Sequence, residues 1–158
     1  MTNFEFTSHK YEEDQEVTIR AYQNGEQLGY INYGPNEEDP SSIAINMLTA
    51  KFPRQGIGTA LIRQMVRTIG PAIPIRSVII EKETIRALQN PVFLERARST
   101  GSIEITDRDV LDQLLIVKLH EKGGIETSRV RVLFEPNDEE SPFVFVHEGV
   151  TTDLTDRA

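Results

Sequence analysis

Apolar and polar residues alternate along EVTIRAY (16–22), which sets Val17, Ile19 and Ala21 on one face and predicts a β-strand. EQLGYINYG follows across Asn24-Gly25, a turn-forming pair, so the two segments read as a β-hairpin. NFEFT near the start predicts a further strand, and GPNEEDPSS (34–42) has the composition of a loop. SIAINMLTA (42–50) is largely apolar, as in a strand buried on both faces. The period then changes. Ile57, Leu61, Met65 and Ile69, flanked by Ala60, Ile62 and Val66, form a wide apolar stripe. Arg63, Gln64 and Arg67 lie opposite, and Gly70-Pro71 ends the helix. After PAIP, RSVIIE (76–81) reads as a second buried strand, so strand, helix and strand predict a βαβ crossover.

ETIRALQNPVFLERARSTG (83–101) keeps a helical period with a break near Asn90-Pro91. Thr106 or Asp107 is placed to cap a helix over DVLDQLLIVKLHEK, which Gly123-Gly124 closes. SRVRVLFEP and PFVFVHEG alternate as strands around the loop NDEES. The reading is a single domain over 1–150, with TTDLTDRA (151–158) as a frayed tail.

Composition narrows this picture. A chain of 158 residues can bury a real core, and 38% hydrophobic with 27% charged residues suits a folded, soluble protein. No apolar run approaches the ~20 residues of a membrane span, and the N-terminus shows no secretory signal. The absence of cysteine excludes disulfides, thiolate zinc sites and a cysteine nucleophile, and suits a cytoplasmic chain. Lys and Arg are scattered among more carboxylates, for a net charge of -8. That balance argues against nucleic acid or a membrane as partner; it serves solubility and can favour basic acceptors.

Two glycines, Gly56 and Gly58, head the otherwise well-built helix, where glycine costs stability. A helix N-terminus offers unpaired N–H groups and partial positive charge, and small residues let a phosphate come close. A pyrophosphate could lie across the amides of Gln55, Gly56, Ile57, Gly58, Thr59 and Ala60, with Arg54 adding charge. The alternative is a tight turn or close helix–sheet packing. Neither the Walker pattern nor GxGxxG is present, since Leu61 stands where the third glycine would be.

The run [FY]-x-x-x-GIG-[ST]-AL between a strand and an amphipathic helix, followed by a strand and a helix with Asn, resembles the acetyl-CoA-binding core of the GNAT N-acetyltransferase superfamily. The resemblance covers about Ile43 to Gly101. It implies an α/β (α+β) fold with a mixed, mostly antiparallel sheet, a splayed parallel strand pair and helices on both faces. It also implies acetyl-CoA as acyl donor, its pyrophosphate on the amides at 55–60. The thioester and pantetheine would meet free main-chain groups near Asn46, Met47 and Leu48, with Asn90 bonding the pantetheine arm. An amine, small molecule or protein, would be the acceptor, and a homodimer is compatible with this reading.

The chain departs from the family at three points. Pro53 stands where the family has Gln or Arg, Ala97 stands at the usual tyrosine acid, and two helices between the first strands are missing. Acceptor binding would then fall to the 34–42 loop and the helix after Thr106. Glu81, at the end of the second buried strand, is the best-placed candidate base, with Glu83 next. Tyr33 or Tyr30 could replace the missing acid; both also suit hairpin packing. His9, His120 and His147 lack ligand spacing and read as surface residues, and no metal site is expected. Two functions follow: an acyl-CoA-dependent N-acyltransferase, or a degenerate GNAT-like domain that senses CoA or binds a protein. A third reading is a small α/β domain whose GxG is only a packing turn.

Overall fold

A computed structural model describes residues 3–51, 55–79, 91–134 and 143–154. Its strands are β1 (Glu5–Lys10), β2 (Val17–Gln23), β3 (Glu26–Pro35), β4 (Ile43–Ala50), β5 (Pro74–Ile79), β6 (Ser102–Ile105), β7 (Ile125–Phe134) and β8 (Phe143–Thr151). Its described helices are α1 (Ile57–Ile69), α2 (Pro91–Thr100), α3 (Arg108–Leu111) and α4 (Leu115–Lys122). The strands form one sheet in the order β1-β2-β3-β4-β5-β8-β7-β6. Only β4 and β5 pair in parallel, through the crossover that α1 makes between them. The other pairs are antiparallel.

The register fixes which face each residue serves. Val130 pairs with His147, His147 with Ser77, Ser77 with Ile45 and Ile45 with Tyr33, one row across five strands. On this face α1 buries Ile57, Leu61, Ile62 and Met65 against Ile19, Ile31, Ile45 and Ile75. Beside it, α2, α3 and α4 bring Ala97, Leu111 and Val117 onto Val130, Val132 and Phe145. The mixed sheet and its single parallel pair follow the implied fold. Among the described residues, however, the helices share one face. The chain passes from β1 to β2 through the short segment 11–16, leaving no helices there to cover the other side. That side carries Thr18, Arg20, Tyr30, Asn32 and Met47.

Several local expectations change. SIEI forms β6, paired with β7, where no strand was expected, because its alternation is too short to stand out until Val130 and Val132 pair with Ile105 and Ile103. Asp107 caps α3 by accepting from the Asp109 N–H at 2.9 Å, and the helix expected through 122 is broken in two. Residues 151–154, expected to fray, are held: Thr152 donates its N–H to the Gly124 carbonyl at 2.8 Å and Leu154 is buried in the α1 cluster.

Candidate functional site

The β4–β5 ladder joins only Ile43–Ile45 to Ile75–Ser77. β4 runs on to Ala50 and β5 to Ile79, so the two strands part beyond Ile45 and Ser77. A register shift on the β3 side falls at the same level: Asn32 pairs with Met47 but Tyr33 with Ile45, leaving Asn46 as the extra residue of a bulge. Bulges bend a strand and sharpen its twist, which turns the end of β4 away from its neighbour. Main-chain groups of residues 46–50 on the β5 side are thereby released from pairing. Met47 is exposed and Leu48 half-buried at this opening.

At the head of the opening α1 begins. Gly56 occupies the N-cap position at φ 79°, in the left-handed region, with no side-chain cap on the helix. Ala60 donates to the Gly56 carbonyl at 3.0 Å, the first bond of the helix. Among the described residues, no acceptor takes the N–H groups of Gln55, Gly56, Ile57, Gly58 or Thr59. Gln55 and Gly56 are exposed, and a Cβ at Gly56 would meet nothing within 4 Å. This end of α1 fits a diphosphate: donors without a described partner, no first-turn acid, and no described atom crowding Gly56.

The two glycines have different reasons. Gly56 supplies a backbone angle that other residues adopt at a cost. We expect Gly56→Ala to lower stability by about 1 kcal/mol in urea denaturation. Gly58 instead makes room for a neighbour, because its Cβ would lie 3.3 Å from Leu119 Cδ1 on α4 and 3.9 Å from Leu48 Cδ2. Lower down, a Cβ on Gly123 would strike Ile62, so α4 lies close along α1. Bulk is absent at Gly58 for helix packing, and a phosphate would approach from the Gly56 side. Ile57 is buried in the core, whereas Thr59 and Ala60 are half-buried.

The remaining expected residues scatter. Arg54, Glu81, Glu83 and Asn90 lie outside the described residues. Tyr33 is buried on the α1 face, and its hydroxyl has no partner among the described residues. Desolvation raises its pKa, so it stays protonated. Ala97 is fully buried against β7 and β8. The 34–42 loop lies at the start of β4, tied to β5 by Arg76–Glu38 at 3.0 Å. It is therefore a strand length, about 25 Å, from the head of α1. It is thus remote from the diphosphate end of the opening, which α4 borders, and lies nearer the parted edge at Asn46, four residues beyond Ser42.

Two histidines read as surface residues are core residues. His120 (α4) and His147 (β8) are buried and stack at 3.9 Å between ring centroids. His120 Nδ1–H donates to the Ile116 carbonyl at 2.7 Å, which leaves Nε2 to accept from the Ser77 hydroxyl at 3.0 Å. His147 Nε2 lies 2.8 Å from Thr127 Oγ1, and its Nδ1 is buried without a described partner. Burial pushes His120 down to about 4; burial and the neighbouring ring push His147 down to about 2. Both are neutral at pH 7, and they tie α4 to β5 and β8 below the opening. Only the preceding helical period, which places His120 with Ile116 and Val117, hinted at one of them. Among the described residues no group of three or more His, Asp or Glu is placed to hold a metal ion.

A second concavity, of about 460 Å³, lies on the face that no described helix covers. Thr18, Arg20, Tyr30 and Asn32 form its floor, Tyr11 and Gln27 its sides, and Met47 its edge toward the opening. No described helix is long and apolar enough to cross a membrane.

Comparison with known proteins finds no matching family model and no matching curated protein. Solved structures do match. A Bacillus anthracis chain solved with acetyl coenzyme A aligns at TM-score 0.46 and 15% identity, over 87% of this chain and 63% of that one. A GNAT-family acetyltransferase of Streptococcus pneumoniae aligns at TM-score 0.43 and 11% identity, over 88% of this chain and 68% of that one. Diaminobutyrate acetyltransferase EctA of Paenibacillus lautus, solved with its substrate and coenzyme A, aligns at 0.43 and 14%, over 82% and 68%. The chain thus spans less than two thirds of the first of these.

Proposed function

We propose that the chain is a GNAT-type acyltransferase that moves an acetyl group from acetyl-CoA to an amine. The observation that carries the reading is the parting of β4 from β5 at Ile45 and Ser77, directly below a helix whose first amides have no described acceptor. The Gln55–Leu61 motif supplies the same location from sequence alone. The diphosphate would rest on the amides at 55–59, and the pantetheine would follow the released edge of β4 past Leu48 and Met47. Arg54 and Asn90 would add charge and a hydrogen bond. The amine attacks the thioester carbonyl carbon; a C–N bond forms, the C–S bond breaks, and CoA leaves as the thiolate. Main-chain donors near the parted edge would stabilise the developing oxyanion. Glu81 would take the ammonium proton before attack. With Ala97 at the usual acid position and Tyr33 in the core, the proton that the new amide nitrogen sheds passes through water to the thiolate.

Leu119 supports a second reading. It stands against Gly58 and Leu48 and narrows the opening on the helix face, as suits a domain that binds CoA without turnover or binds a protein instead. Calorimetric titration of CoA into the purified protein tests both. The transferase reading expects saturable binding, a higher melting temperature with CoA and thiol release from acetyl-CoA once an amine is added. Gly56→Leu should remain folded and lose the binding. Wild-type protein that binds no CoA sinks the proposal; binding without amine-dependent thiol release favours the second reading.

A further inference from the structure

The face that no described helix covers carries opposite charges at two ends of one polar row. On β2 and the residue before it, Glu16, Thr18 and Arg20 alternate toward this face. Arg20 is half-buried and makes no ion pair with a described residue, in a chain with 25 Asp and Glu against 17 Lys and Arg. Its neighbour across the strands is Tyr30. Between the two ends the floor is already bonded: Asn32 Nδ2 donates to Thr18 Oγ1 at 2.9 Å and accepts at Oδ1 from Asn46 at 3.1 Å. Asn46 Nδ2 also donates to Glu16 Oε1 at 3.2 Å. Glu16 therefore sits beside the bulge where β4 leaves β5. Arg20 lies four residues along, about 13 Å away in extended chain before the side chains lean inward.

A guanidinium without a described carboxylate, flanked by a phenol in a concave wall, is built to take a planar anion in a forked pair of hydrogen bonds. Glu16, next to the opening, suits a cation. We propose that this groove holds the acceptor, and that the acceptor is a zwitterionic ω-amino acid. Arg20 takes its carboxylate, and Glu16 steers its ammonium to the parted edge at Asn46 and Met47. The inference rests on the transferase reading for its chemistry, while the groove itself can be tested without CoA.

The probes are 6-aminohexanoate and hexylamine, matched in chain length and differing in the carboxylate. In ¹H–¹⁵N NMR spectra of the CoA-free protein, 6-aminohexanoate should shift the amides of Arg20, Tyr30, Asn32 and Met47, and hexylamine should leave those of Arg20 and Tyr30 in place. Arg20→Gln should abolish these shifts and leave CoA binding intact. In turnover with acetyl-CoA, the wild type should prefer 6-aminohexanoate over hexylamine about tenfold or more. Arg20→Gln should erase that preference through KM, Arg20→Lys should restore part of it, and Glu16→Gln should weaken both amines alike. The absence of groove shifts in the wild type, or a preference that survives Arg20→Gln, overturns the inference. Groove shifts in a protein that binds no CoA sink the transferase reading and leave the zwitterion site standing.

Discussion

Lowering the pH from 6.5 to 5 should remove about 3 kcal/mol of stability from this protein. His120 and His147 titrate near 6.5 when the chain is unfolded, but only at about 4 and about 2 when folded. Their folded pKa values are depressed, so the unfolded chain binds more protons throughout this window. The stability they allow is complete about one unit above 6.5 and falls as the pH drops through 6.5 toward 4. Each imidazole withdraws about 1.6 kcal/mol over these 1.5 pH units, because the unfolded ring is already half protonated at 6.5. The cause is local: protonated His147 would carry a second N–H with no described acceptor, and a charge stacked on the His120 ring. Glu148 belongs to a lower window. Burial works to raise its pKa, but Arg129 and Arg131 outweigh that and hold it below its ordinary value, so its contribution is lost in stronger acid. Urea midpoints at pH 7, 6, 5.5 and 5 measure the effect. A flat profile over that range would mean the pair is not buried as described.

The second large effect is steric. Gly29→Ala should destabilise the fold by about 3 kcal/mol or more, because the added Cβ would lie 2.3 Å from the Thr49 carbonyl oxygen, a backbone atom that cannot rotate away. The same Cβ would lie 3.1 Å from Ile57 Cγ2, so the strain falls where α1 sits on the β3–β4 pair. Gly25→Ala is the control. It has nothing within 4 Å and a φ of 80°, so only the conformational cost of about 1 kcal/mol applies. Equal losses in the two variants, compared by denaturation, would contradict the close approach at Gly29.

Legibility in the sequence followed the length of each pattern. The α1 stripe was readable over four turns, down to its first residue Ile57 and its stop at Gly70. The long strands β2, β3, β4, β7 and β8 were readable within two or three residues of their ends. Four residues of SIEI were too few, and the break between α3 and α4 has no proline to announce it. The candidate site divided the same way. Gly56 was visible because glycine at a strand–helix junction is a local signal. Glu16, Arg20 and Asn46 were not, because they meet only when three strands are laid side by side.

The chain alone determined the order of the longer elements, the α1 face that is buried, and the place where a helix begins with little side-chain bulk. Each of these depends on residues within a few positions of one another. Tertiary structure decided that Gly58 yields to Leu119, that His120 and His147 stack in the core, and that the described helices all lie on one face of the sheet. Those outcomes depend on distances between residues far apart in sequence, set by strand register and helix packing, which no local periodicity encodes.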